Sequence, residues 1–143
     1  MHIIKNSTLP PLFTKGLPKA ECETCTLRVY VVEAEGLQPK DSNGKSDPYV
    51  KIQVGKKKMS SRDKYIPNTL DPTFGQLFEM KVILPLEKHL VLSVIDYDKV
   101  GRDDDIGATT IDLGICIDVQ MYCTVYVAPP VCLSVSVCLC VAL

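Results

Sequence analysis

Five aspartates fall within ten residues, in the stretch Asp96-Tyr97-Asp98-Lys99-Val100-Gly101-Arg102-Asp103-Asp104-Asp105. Carboxylates this close repel one another, by about 1 kcal/mol per pair at 4 Å in water and several times more near a protein surface. A hard cation relieves that repulsion, because carboxylate oxygens are its preferred ligands. No cysteine or histidine cluster stands beside the aspartates to favour a softer metal. The stretch is therefore a candidate cation loop, and its flanks must hold it.

Those flanks are apolar runs, residues 90–95 before the loop and 106–112 after it, each short and rich in β-branched residues. Further strands are predicted at 26–34, where Leu27, Val29 and Val31 alternate onto one face, and at 49–54, 59–62 and 76–84. Turn chemistry separates them: Gly36 and Pro39, the polar run 40–48, the basic link Gly55-Lys56-Lys57-Lys58, and a segment 66–74 stiffened by Pro67 and Pro72. No stretch of ten residues shows a helical period. Short strands at regular spacing predict an all-β antiparallel β-sandwich, in which each sheet covers the apolar face of the other. The segment 40–48 carries Asp41 and Asp47 and also follows a strand. If the strands before the two acidic segments are neighbours with the same direction, both loops open at one end.

The 143 residues suffice for one core and favour one domain. Charge is balanced over 1–113, with sixteen acids and sixteen bases, which argues against a nucleic-acid partner. Seven cysteines, five of them beyond residue 113, and no secretory signal point to reduced thiols and a cytoplasmic setting. Cys22 and Cys25 have the spacing of half a zinc site, but no second pair follows in the body of the chain. His2 and His89 have no companion ligand and receive no role. No nucleophile elbow, HExxH helix or glycine-rich phosphate loop occurs, so an enzyme is not expected.

Four motifs in order resemble the C2 domain family: Asp41 with Gly44-Lys45-Ser46-Asp47-Pro48-Tyr49-Val50-Lys51, then Asn68-Thr69-Leu70-Asp71-Pro72-Thr73-Phe74, then Asp96-Tyr97-Asp98, then Asp104-Asp105-Ile106-Gly107. The wording around Leu37-Gln38-Pro39-Lys40-Asp41 and Tyr65-Ile66-Pro67-Asn68 is similar more narrowly to a C-terminal-half C2 domain of the ferlins. The resemblance implies a C2 domain over 25–113, after a linker at 1–24, and calcium ligands at Asp41, Asp47, Asp96, Asp98 and Asp104. It further implies two calcium ions, which change the formal charge of these five from −5 to −1 so that anionic phospholipid oxygens complete the coordination. Asp103 and Asp105 are left as turn-forming, solubilising residues.

On the same reading Lys99, Val100 and Arg102 at the loop tip contact an anionic phospholipid membrane, with shallow insertion because valine is small. Lys56, Lys57, Lys58, Arg62 and Lys64 form a polybasic segment that takes a phosphoinositide or protein partner, or simply protects a sheet edge. The implied function is calcium-dependent membrane binding in vesicle trafficking or fusion, peripheral on membranes, with full-length relatives membrane-anchored. The alternative is a calcium-independent protein-interaction module or a non-functional splice fragment.

Beyond residue 113 only Asp118 is charged, and 131–141 is built from Val, Cys, Leu and Ser alone. Pro129-Pro130 divides the run into halves too short to span a membrane as a helix. Residues 114–143 are expected to be a non-family tail, intron-derived or frameshifted, leaving the sandwich incomplete by about two of eight strands. The alternation of Leu133, Val135, Val137 and Leu139 keeps open a makeshift strand.

Overall fold

The computed structural model describes residues 22–113, 121–127 and 133–142. The alternation noted at residues 26–34 is realised in β1 (Glu23–Glu35), where Leu27, Val29 and Val31 are fully buried while Arg28 and Tyr30 face solvent. The same logic gives β2 (Pro48–Val54), β4 (Thr73–Leu84) and β5 (His89–Asp96) their buried faces. β3 (Lys57–Ser60) is short and exposed throughout, and a single 3-10 turn (Arg62–Lys64) follows it. β6 (Asp104–Asp112), β7 (Met121–Val127) and β8 (Leu133–Ala142) complete the order.

Among the described residues two four-stranded antiparallel sheets result, β4-β1-β8-β7 and β3-β2-β5-β6. Between them lies one core, with Leu27, Val29, Val31, Val82 and Leu84 from the first sheet and Val50, Ile52, Leu90, Leu92 and Val94 from the second. Each such side chain contributes about 1.5 to 3 kcal/mol of burial, which makes this core the main support of the loops at its end. Among the described residues no helix is long and apolar enough to cross a membrane.

The expected all-β antiparallel sandwich is therefore present, but the expected gap at its C-terminal end is not. β8 pairs β1 from Thr26 opposite Ala142 to Glu35 opposite Ser134, and β7 pairs β8 along its length. Sheet pairing is made by main-chain groups, which any non-proline residue offers, and a period-two run of Val, Leu and Cys suits it. The makeshift strand became an inner one.

The two acidic loops meet for a reason the sequence reading did not foresee. β1 and β5 lie in different sheets; the juxtaposition comes from β2 and β5, which pair antiparallel with Pro48 opposite Asp96. The chain entering β2 at Asp47 thus sits beside the chain leaving β5 at Tyr97. The Tyr97 amide closes the contact by donating to the Asp47 carbonyl at 2.9 Å.

Candidate metal centre

Three loops build the acidic end. In the first, Asp41 to Gly44 form a turn, with the Gly44 amide donating to the Asp41 carbonyl at 3.1 Å. Gly44 has φ +77°, a conformation that favours glycine. The loop is tied from beneath by the fully buried Ser46 hydroxyl, which accepts from the Lys40 amide and donates to the Gln38 carbonyl, each at 3.0 Å. The second loop presents Asn68 with φ +55°, tolerated by asparagine, and its amide donates to Asp47 Oδ1 at 2.7 Å. Asn43 Nδ2 reaches across to Asn68 Oδ1 at 3.0 Å and joins the first two loops. The third carries Asp96, whose Oδ1 accepts from the Asp47 amide at 2.6 Å.

Together the loops place carboxylate oxygens of Asp41, Asp96 and Asp98 within 4.8 Å of one another. Asp96 is only 1 % exposed, and its Oδ2 has no hydrogen-bond partner. Leaving such a group unsatisfied costs about 1 to 3 kcal/mol. Burial, reinforced by the neighbouring Asp41, Asp98 and Asp47 charges, pushes the Asp96 carboxyl up against the opposing hydrogen bond from the Asp47 amide. Asp41 is pushed up as well, first by desolvation and then by Asp47 and Asp98. All-oxygen donors, mutual repulsion and an orphaned buried oxygen are the features a hard cation satisfies, so the residues fit calcium.

The other two expected ligands stand at the rim of this cluster. Asp47 lies close enough to act on Asp41 and Asp96 electrostatically, with one carboxylate oxygen engaged by Asn68. Asp104 opens β6 directly opposite Asp96 in the ladder and is exposed. At the tip Lys99, Val100 and Arg102 are all exposed, Val100 by 90 %.

Asp103, expected from the sequence to be a turn-forming, solubilising residue, is instead the most heavily bonded side chain of the loop. Its carboxylate accepts from Arg62 Nε at 2.6 Å, Arg62 Nη2 at 3.0 Å, Tyr49 Oη at 2.8 Å and the Asp98 amide at 3.0 Å. Hydrogen bonding to Arg62, above all, holds its carboxyl well below the usual carboxylate range. Burial and the bond to Asp103 push the Tyr49 hydroxyl up to about 12. The Arg62 guanidinium also lies 4.6 Å over the Tyr97 ring, which stacks on Tyr65 with centroids 4.1 Å apart. Arg62 and Asp103 are 41 residues apart, and nothing in their local sequence announces the pair. Asp105 is exposed in β6, as a solubilising residue would be.

The polybasic residues divide. Arg62 is held by Asp103, and Lys57 Nζ donates to Glu87 at 3.0 Å and to the Lys81 carbonyl at 2.6 Å. Lys56, Lys58 and Lys64 are exposed, and Lys64 borders an open groove between β3 and β4 with Met59, Gln76 and Leu77. Cys25 is buried in the core while Cys22 is exposed, so the pair does not present two thiols to one metal. His89 opens β5 away from the aspartates.

Residues 25–127 match the family model described as the C2 domain. Myoferlin of Mus musculus is 51 % identical over 104 residues, which make up 73 % of this chain and 5 % of that protein. The chain thus spans a small part of the curated relatives it matches. Among solved structures, a single C2 domain of plant Extended Synaptotagmin 1 superposes with TM-score 0.73 at 25 % identity, covering 82 % of this chain and 93 % of that one. The calcium-bound pair of C2 domains of Extended-Synaptotagmin 2 gives 0.72 at 27 % identity, covering 81 % and 45 %. With the motif order, the two-sheet sandwich and these matches in agreement, the chain belongs to the C2 domain family, and its C2 domain is of the ferlin kind.

Proposed function

We propose that this domain is a calcium-dependent phospholipid-binding module acting in vesicle trafficking or membrane fusion. The observation that carries the proposal is the orphaned, buried Asp96 Oδ2 inside a cluster of three converging carboxylates. Asp41, Asp96 and Asp98 are the core of the ligand set, and Asp47 and Asp104 are its outer members. Calcium supplies the positive charge that turns this end from anion-repelling to anion-binding.

The protein's own residues do the rest. Lys99 and Arg102 attract an anionic leaflet, by roughly 1 kcal/mol each near the surface. Val100, fully presented at the tip, adds a small apolar contact. A domain placed in this way acts peripherally on membranes, as a binding module rather than an enzyme. Co-sedimentation with phosphatidylserine vesicles tests the proposal: binding that requires calcium, and is lost with chelator and in Asp98→Asn, is the expected result. Binding indifferent to calcium overturns it.

A second reading concerns the basic edge. The exposed Lys56, Lys58 and Lys64, the last of which lines the β3–β4 groove, favour a phosphoinositide or an acidic protein segment at this edge, independent of the metal end. Replacing all three with alanine should weaken binding to phosphoinositide vesicles in chelator while leaving calcium-dependent phosphatidylserine binding intact.

A further inference from the structure

We infer that Asp103, braced by Arg62 and Tyr49, is a positioning residue that sets the calcium affinity of the aspartate cup without touching the ion. The inference rests on the calcium reading above and deepens it. All four hydrogen bonds to the Asp103 carboxylate come from the protein, two from Arg62, one from Tyr49 and one from the Asp98 amide. Its side chain is only 13 % exposed. A carboxylate with both oxygens so occupied has no free lone pair for a metal, yet it fixes the backbone from which Asp98 projects into the cluster.

The brace is anchored on rigid parts. Tyr49 belongs to β2 and is buried at the ring, and Arg62 begins the turn after β3. Arg62 also covers the face of Tyr97, the residue between Asp96 and Asp98, and Tyr65 stacks on the same ring. The middle of the ligand triplet is thus clamped from the second sheet through both its side chain and its neighbour's amide. Holding Asp98 near its ligating position before the metal arrives reduces the ordering cost of binding, as outer-shell partners do in metal sites generally.

Charge and position make opposite forecasts for Arg62. A cation beside the cup repels calcium, so on Coulomb's law alone Arg62→Gln binds calcium more tightly than wild type. If Arg62 acts by holding Asp103, and Asp103 by holding Asp98, the same substitution binds calcium more weakly.

Calorimetric calcium titration of wild type, Asp103→Ala, Asp103→Asn and Arg62→Gln, joined to hydrogen exchange of the Asp98 amide in chelator, tests this. Asp103→Ala should weaken affinity by about tenfold and speed exchange of the Asp98 amide more than that of core amides. Asp103→Asn keeps an acceptor for that amide and should restore affinity to within about threefold of wild type. Arg62→Gln should also bind more weakly. Tighter binding by Arg62→Gln, affinity within about twofold of wild type in Asp103→Ala, or an asparagine variant no better than alanine overturns the inference. Should the alanine variant not fold, Arg62→Gln and Asp103→Asn against wild type still decide by sign and by Asp98 exchange. A wild type that binds no calcium removes the calcium reading and this inference with it, whereas a binding wild type with unaffected variants removes this inference alone.

Discussion

Asp96 bears the heaviest electrostatic load of any residue in the cup. It is buried, faces three other aspartates and has one oxygen without a partner. Asp96→Asn keeps an acceptor for the Asp47 amide and offers an NH2 group to the Asp41 and Asp98 carboxylates that lie within 4.8 Å. The metal-free protein should gain at least about 1 kcal/mol, the scale of one like-charge contact at about 4 Å even in water, as read by urea unfolding in chelator. Calcium binding should be lost in the same variant. A destabilised metal-free protein would contradict the repulsion argument. At this scale the sequence was informative about residue type and blind to assignment. The five loop aspartates are chemically alike, and only the fold separates Asp96 and Asp98, which converge with Asp41, from Asp103, which an arginine 41 residues away neutralises. The motif named Asp41, Asp96 and Asp98 together, and the fold brings their carboxylates within 4.8 Å of one another. It carried no signal for Asp103, because a partner supplied by tertiary structure leaves no local pattern.

Strands and their connections decide which of those residues meet. The alternation of Val50, Ile52 and Val54 made β2 legible, since period two is imposed by the pleat itself. Its pairing with β5 was not legible, and that pairing brings the acidic loops together. The basic link is a similar case: Lys57 looked like part of a free cationic patch, yet it fastens the β4–β5 connection through Glu87. Glu87 accepts from the Ile83 amide at 2.8 Å and from Lys57, and these two bonds, the amide foremost, hold its carboxyl below the ordinary 4.5. A carboxyl lowered in the folded state stabilises above its unfolded value and loses that contribution as pH falls through its folded one. Glu87→Ala should therefore cost about 1 kcal/mol near neutral pH, with the difference from wild type narrowing as pH is taken below 4.5. Chemical denaturation at several pH values would show it. A gap independent of pH would mean that the turn is held by its backbone bond, Glu87 amide to Ile83 carbonyl, and not by the carboxylate.

For the molecule as a whole, the two sheets act as one base for the cup, so ligand binding and folding are linked. At a hundredfold excess over its Kd, calcium should stabilise the fold by about 2.7 kcal/mol, seen as a rise in Tm that chelator reverses and Asp96→Asn lacks. A Tm indifferent to calcium would mean that no ion binds the folded state preferentially. The base depends on a segment whose composition suggested that it did not belong. The four sequence motifs end at Gly107 and every charge but Asp118 by Asp112, while the main-chain pairing continues through β7 and β8. Composition is a record of side chains, and a central strand is specified as much by its unbroken supply of N–H and C=O groups. Ending the chain at Leu113 removes β8 from the middle of its sheet, so that β1 presents an unpaired edge from Thr26 to Glu35. Open edges of that length pair with other chains. The truncated protein should aggregate at micromolar concentration in size-exclusion chromatography and lose cooperative unfolding, while the intact chain stays monomeric. A monomeric, cooperatively folding truncation would show that β7 and β8 are accessory to the sandwich, and that the aspartate cup needs only the sheet β3-β2-β5-β6 and the β4-β1 pair to stand.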